Sequence, residues 1–224
     1  MISIIIPALN EARALPATLH SLFAQTGSFE VILVDGGSQD RTIELAREWP
    51  AVNVITSTAG RDVQMNAGAA VAQGELLLFL HADTLLPEGA IMRLNELLTE
   101  PLMLWGGFHQ QFSGQRLSLK FVSWVTNTRC LITRIFYGDQ AMFVRPEVFV
   151  QAGGFPAGLL EDIEISRRLR KVSRPMFVPE FVVTDSRKFE QMGPIRSLLR
   201  CLLLLTCYGL RLPLLGRRFF TPVR

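Results

Sequence analysis

The sequence predicts an α/β protein with a mostly parallel central sheet, helices on both faces of that sheet, and an amphipathic helix at the C-terminus. Three observations carry this. Short apolar runs alternate with helical patterns. Those runs are near-continuously apolar, as strands buried on both faces require. Polar clusters recur where the runs end, at the edge where parallel sheets bind ligands.

In chain order, residues 2–6 read as a buried strand and 15–24 as a helix. Strand 31–34, helix 42–49, strand 52–56, the small-residue helix 62–72, strand 76–80 and helix 88–99 continue the rhythm of βαβ units. Strands at 105–112 and 141–144 flank a helix at 117–130. Gly153-Gly154-Phe155 then leads to Glu161-Asp162 and a strongly basic helix, and acids are favoured at a helix start by the helix dipole. A break at 192–194 separates a body of residues 1–194 from a leucine- and arginine-rich helical tail, 195–224.

A chain of 224 residues, 49% hydrophobic and 19% charged, buries a sizeable core and is not disordered. The net charge of +3 conceals an asymmetry, because residues 195–224 carry six arginines and no acid, leaving the body at −3. That body is not the basic surface of a nucleic-acid binder. Three cysteines without metal spacing read as reduced thiols, and the N-terminal apolar run reads as a strand rather than a signal peptide. The expectation is a cytoplasmic protein, peripheral at most to the inner face of the cell membrane, with room for a homo-oligomer.

Three polar clusters end the first, second and fourth strands: Pro7-Ala8-Leu9-Asn10-Glu11, Asp35-Gly36-Gly37-Ser38-Gln39-Asp40, and His81-Ala82-Asp83-Thr84. One such cluster is ordinary turn and cap chemistry, whereas three at one sheet edge suit a nucleotide diphosphate sugar. Asp35 and Asp40 offer acceptors to a ribose and base. Asp83 is a hard oxygen ligand for the divalent cation that a diphosphate needs. His81 either orients a metal-bound water or Asp83, or is a half-buried histidine satisfied by backbone. Arg61, just after Gly60, either meets phosphate oxygens or is a solvated arginine at a helix start. Neither G-x-G-x-x-G after the first strand nor a P-loop motif occurs, which removes dehydrogenase and P-loop readings.

The segments IIIPALNEA, EVILVDGGSQDRT, GRDVQMNAGAAVAQGELLLFLHADT and AGGFPAGLLEDIEISRRLR resemble, in order over residues 1–190, the motifs of family 2 inverting glycosyltransferases with the GT-A fold. They look most like a small bacterial subgroup whose metal motif reads His-Ala-Asp, associated with radical-enzyme or arsenosugar pathways. The resemblance implies a nucleotide-sugar pocket of Pro7, Ala8, Asn10, Glu11, Asp35, Gly36, Asp40, Arg61, Gln64, Ala82 and Asp83. It implies Mg²⁺ or Mn²⁺ at Asp83, with His81 as a second candidate ligand, and Asp162 of the Glu161-Asp162 pair as the catalytic base. Gly153, Gly154 and Phe155 are expected to shape the acceptor entrance and Trp105 and Gly106 to flank the sugar. Arg187 is expected to clamp phosphates. His81 replaces the usual first acid of the D-x-D motif, and Q-x-x-R-W is absent, with Ser186–Glu190 in its place. A single transfer per acceptor follows rather than processive polymerisation. The alternatives are a sugar-1-phosphate nucleotidyltransferase and a non-catalytic nucleotide-sugar-binding module.

Arg196, Arg200 and Arg211 fall on one narrow face of a tail helix at ~100° per residue, with leucines around the rest. The longest uncharged run there, 201–210, is far below the ~20 residues that span a bilayer. Its two readings are a helix lying on an anionic membrane and a helix packed on the body or a second subunit.

Overall fold

A computed structural model describes residues 1–158 and 160–209. The first half is built from β1 (Ile2–Ala8), α1 (Leu15–Phe23), β2 (Phe29–Asp35), α2 (Thr42–Arg47), β3 (Val52–Thr56), α3 (Arg61–Val71), β4 (Leu76–Phe79), a two-residue β5 (Thr84–Leu85) and α4 (Ala90–Leu98). The second half adds β6 (Trp105–Phe112), α5 (Leu117–Thr133), a 3₁₀ turn at Gly138–Gln140, β7 (Phe143–Val144), α6 (Pro146–Gln151), α7 (Glu161–Val172), β8 (Met176–Thr184), α8 (Arg187–Met192) and α9 (Pro194–Gly209).

All strands join one sheet in the order β3-β2-β1-β4-β7-β6-β8-β5. Every residue of β1 is buried, which the near-continuous isoleucine run makes favourable at ~1.5–3 kcal/mol per aliphatic side chain. Alternation then divides the core. Ile2, Ile4 and Ile6 join Leu15, Leu19 and Leu22 of α1 and Ile91 and Leu94 of α4 on one face. On the other, Ile5 joins Met65 of α3, Val148 of α6, Phe155, and Ile165 and Leu169 of α7. Helices therefore cover both faces, as the sequence predicts.

The parallel character holds for β3-β2-β1-β4 and for β6-β8. Elsewhere the sheet is antiparallel: β7 against β4 and β6, and β5 against β8. β5 and β7 are only two residues long, too short to leave a periodic signal in the sequence. β5 has a positioning consequence. Pairing of Thr84 with Thr184, and donation from the Asp185 amide to the Asp83 carbonyl at 3.0 Å, fastens the loop after β4 to the end of β8.

Of the tail, residues 210–224 lie outside the described residues. Its first part is α9, which lies against α5 and α8, with Leu198 packed on Phe112, Leu119 and Val122. No described helix is long and apolar enough to cross a membrane.

Candidate active site

Parallel pairing of β1 with β2 sets Pro7 beside Val34 and Ala8 beside Asp35, so their loops leave one edge together. Those loops are tied to each other. Asn10 takes a left-handed conformation (φ 57°), which asparagine tolerates, and accepts the Gln39 amide at 2.8 Å while its own amide donates to the Ser38 hydroxyl. The Glu11 amide donates to Thr42 Oγ1 at 2.8 Å. Asp40 accepts from the Ala12 and Thr42 amides and the Thr42 hydroxyl. Burial raises the Asp40 carboxyl, but these hydrogen bonds outweigh it and hold the group below the usual carboxylate value.

Two residues of the expected pocket act beneath it. Asp35 is fully buried, and its carboxylate accepts from Gly37 at 2.8 Å and Ser38 at 3.0 Å, closing the loop on itself. Gln64, also buried, donates through Nε2 to the carbonyls of Ala8 and Val34, both at 2.8 Å. Gly36 lies over that amide, where a Cβ would sit 3.1 Å from Gln64 Nε2. Gln64 thus spaces the ends of β1 and β2, a positioning role rather than the direct donor contact expected of it.

A second group of site residues gathers at α7. Leu160 adopts the left-handed conformation (φ 71°) and delivers Glu161 and Asp162 to the first turn. The adjacent acids then part company. Glu161 is buried and pairs with Arg61 Nε at 2.9 Å, so Arg61 is engaged by this carboxylate. Burial pushes the Glu161 carboxyl up, Arg61 opposes this, and Asp162 adds to it. Asp162 Oδ2 accepts the Gly138 amide at 3.0 Å, and Oδ1 accepts the Ile163 amide at 2.8 Å. Gly138 also admits His81, because a Cβ there would stand 2.4 Å from His81 Nε2. His81, Gly138, Phe155, Glu161 and Asp162 line one small cavity. Phe155 is fixed by Asn66, whose side chain accepts its amide at 2.9 Å and donates to its carbonyl at 2.8 Å. Gly153 and Gly154 hold the left-handed turn (φ 80° and 65°) that brings Phe155 there.

Sequence reasoning missed Asp139, which reads as half of an ordinary Gly-Asp turn. In the structure its Oδ1 is enclosed and has no hydrogen-bond partner. Burial, then the Asp162 carboxylate, pushes its carboxyl up to about 6; Arg129 opposes this and Asp83 adds to it. Asp139 therefore lies within electrostatic reach of both Asp162 and Asp83. Arg129 lies over the Tyr137 ring at 3.4 Å.

Trp105 and Gly106 require correction. Trp105 is fully buried, packs edge-on against Phe136 and donates from Nε1 to the Ser173 carbonyl at 3.2 Å, so its indole has no face open to a sugar. Gly106 pairs with Phe143 and Met176 in the sheet interior. Both sit at the start of β6, and an aromatic at a strand start is a core residue here. Arg187 bonds Asp185 Oδ2 at 2.6 Å, and the Asp185 amide donates to the Asp83 carbonyl, so Arg187 is anchored next to the loop that carries Asp83. Among the described residues no three His, Cys, Asp or Glu side chains are arranged to enclose a metal. The donor set, a hard carboxylate at Asp83 with an unpaired Asp139 oxygen near enough to feel it, suits Mg²⁺ or Mn²⁺, which take most of their ligands from phosphates and water.

Comparison with known proteins accords with this architecture. The glycosyl transferase family 2 model matches residues 3–161. A PGL/p-HBAD biosynthesis glycosyltransferase of Mycobacterium bovis (strain BCG / Pasteur 1173P2) is 45% identical over 101 residues, covering 39% of this chain and 37% of that protein. An undecaprenyl-phosphate 4-deoxy-4-formamido-L-arabinose transferase of Aeromonas hydrophila is 35% identical over 107 residues, 43% of this chain and 33% of that one. The chain thus matches little more than a third of the length of these curated relatives. Among solved structures, TarS 1–349 of S. aureus superposes with a TM-score of 0.68 at 16% identity, over 90% of this chain and 64% of that 1–349 chain. A mannosyltransferase of Pyrobaculum calidifontis, in complex with GDP-Man and Mn²⁺, does so with 0.64 at 23% identity, over 81% and 56%. Those two likenesses speak to the fold alone. With the family model spanning most of the sheet and ending at the first turn of α7, the chain belongs to glycosyl transferase family 2 and is a glycosyltransferase domain of the GT-A fold.

Proposed function

We propose that this domain transfers one sugar from a nucleotide diphosphate sugar to an acceptor by direct displacement, inverting the anomeric centre, with Asp162 as the general base. The carrying observation is the division of labour in the Glu161-Asp162 pair. Both acids border the cavity, but Glu161 is buried and paired with Arg61, whereas Asp162 is half-buried beside His81 and aimed by the Gly138 amide. A base must lie within hydrogen-bond reach of the proton it takes, and an oriented carboxylate at a cleft wall meets that need. The loops of Pro7–Glu11 and Gly36–Asp40 form the base and ribose side of the pocket. Asp83, with Asp139 as a neighbour, is the residue to hold Mg²⁺ or Mn²⁺, and a cation there offsets the charge of the departing diphosphate. Arg187 approaches the same phosphates from α8.

The His81-Ala82-Asp83 sequence supports assignment to the subgroup with that motif. The arginine-rich tail, 195–224, supports peripheral attachment to an anionic membrane, and the name of the Aeromonas relative, which contains undecaprenyl-phosphate, agrees with an acceptor at such a surface. The testing experiment is a thermal-shift panel of nucleoside diphosphates and their sugars with and without Mg²⁺ or Mn²⁺. A bound donor at ~100 times its dissociation constant stabilises by about 2.7 kcal/mol. Metal-dependent stabilisation that Asp83→Ala abolishes and His81→Ala only weakens is the expected result. Undiminished donor binding and turnover in excess chelator would overturn the metal assignment. Pyrophosphate release from a sugar 1-phosphate and a nucleoside triphosphate would overturn transfer itself.

A further inference from the structure

The outer face of α5 is apolar where a surface helix should be polar. Leu117, Phe121, Trp124, Leu131 and Ile132 fall within an arc of about 100° on a helical projection. All five point outward, Leu117 being 82% exposed, Trp124 62% and Ile132 76%. Phe121 and Trp124 stack on each other at 5.9 Å instead of turning in to the core. α9 packs against α5 and has exposed leucines of its own, Leu199 at 61% and Leu203 at 54%. Contiguous exposed apolar surface of this kind marks an interaction site rather than ordinary scatter.

Charge identifies the occupant. Residues 101–138 and 191–224 contain no Asp or Glu, although the chain has 20. These two segments hold ten of its 23 lysines and arginines, and the remainder carries 13 basic against 20 acidic residues, a net of −7. The two acid-free segments are the ones that supply α5 and α9. Arg116 and Lys120 lie exposed beside the α5 stripe, and Arg196 is exposed on α9. A second copy docked through the same face would bring like charges together. An anionic bilayer accepts both features, the side chains entering the headgroup boundary and the cations meeting lipid phosphates.

We infer that the exposed apolar face of α5, assisted by the exposed leucines of α9, docks this protein on an anionic membrane. The inference rests on the membrane reading of the tail and moves the main contact from the tail to α5. The placement has a functional sense. Arg129 of α5 donates to the Ile135 carbonyl and lies over Tyr137, immediately before the Gly138 turn that aims Asp162. Tyr208 of α9 donates to Glu164, two residues beyond Asp162, at 2.8 Å. Both docking helices are thereby fastened to the wall that carries the proposed base.

The test uses the full chain with vesicles of phosphatidylcholine, with or without phosphatidylglycerol. Co-sedimentation with the anionic vesicles only, weakened by salt, is expected. Trp124 emission should shift to the blue and be quenched by brominated lipid; in Trp124→Phe the shift should vanish while binding persists. Phe121→Ser with Trp124→Ser, both at exposed positions, should weaken sedimentation by about tenfold. Sedimentation without a Trp124 response, or undiminished in the double variant, overturns the inference and leaves the tail reading standing. No sedimentation of the full chain overturns both. A dimer that the double variant dissociates assigns the face to a second copy and also overturns it. Donor-induced thermal stabilisation, measured alongside, reports on the proposed catalytic reading independently of every one of these outcomes.

Discussion

The donor-side half and the second half of the sheet solve their polar accounting differently. Around β1, β2 and α3, the polar groups that shape the loops are matched: buried Asp35 to Gly37 and Ser38, buried Gln64 to two strand carbonyls, and exposed Asp40 to Thr42 and Ala12. Among the described residues, the enclosed side-chain atoms with no partner all belong to the region from His109 to Ser197, including both amide atoms of Gln110, Arg129 Nε and Asp139 Oδ1. A buried polar group without a partner costs about 1–3 kcal/mol. One half is thus pre-organised in the free protein, as a pocket for an unchanging nucleotide should be. The other holds groups at a local disadvantage, among them Asp139 next to Asp162.

The largest effect that would break this contrast lies at its seam. Asp162→Asn is expected to lower transfer by ~10²–10⁴ with donor affinity nearly unchanged, since the base faces the acceptor. Glu161→Gln is expected to affect transfer less and to destabilise the fold by about 1–2 kcal/mol, because it weakens a buried partner of Arg61. Steady-state kinetics paired with thermal melts of both variants separate these outcomes. A greater loss of transfer in Glu161→Gln would reverse the two roles.

Next is the matched half itself. Gln64→Leu leaves the buried Ala8 and Val34 carbonyls without their side-chain donor and removes the spacer under Gly36. A loss of about 2–4 kcal/mol in urea denaturation is expected, together with weaker donor binding. Unchanged stability would mean that the two strand ends do not need the bridge.

The sequence disclosed the two halves unequally for the same physical reason. β3 and β6 have the bounds that apolar runs predict, and the three polar clusters fall at strand ends because a parallel sheet aligns its carboxyl edges. Phe155, after its glycine turn, lines the cavity beside His81. Asp139 was not legible, because its importance comes from burial beside Asp83 and Asp162, and residues distant in sequence leave no spacing signal. Trp105 was read as a sugar contact because residue type alone does not reveal that Phe136 covers it. The outer face of α5 was readable as periodicity but not as exposure, since the same pattern describes a buried helix.

Asp139 sharpens the contrast through pH. Its carboxyl is raised from 3.8 to about 6, first by burial and then by Asp162. The folded protein then keeps a proton that the unfolded chain has released, so this group's contribution to stability falls as pH rises from about 4 to about 6 and is flat beyond. In chelator, Asp139→Asn should abolish that slope and raise stability at neutral pH by about 1–3 kcal/mol. Urea midpoints across the pH range read it out. Loss of stability at neutral pH in this variant would mean that the charged carboxylate has a partner in the folded protein.

The smallest effect is the most direct comparison with Gln64, because it places the same residue type in the other half. Gln110 is fully buried on β6, and neither its amide nitrogen nor its oxygen has a partner, although its backbone is held by Asn127 on both sides. Replacing an unmatched buried amide with an apolar group of similar size removes a desolvation cost and no hydrogen bond. Gln110→Leu is therefore expected to be neutral or to stabilise by up to about 1 kcal/mol, whereas Gln64→Leu destabilises. Equal losses at the two positions would mean that Gln110 is satisfied by water within the fold, and the second half would then be wet where the first is dry. Opposite signs, with transfer by Gln110→Leu unimpaired, would locate the unmatched amide as a cost of the fold alone.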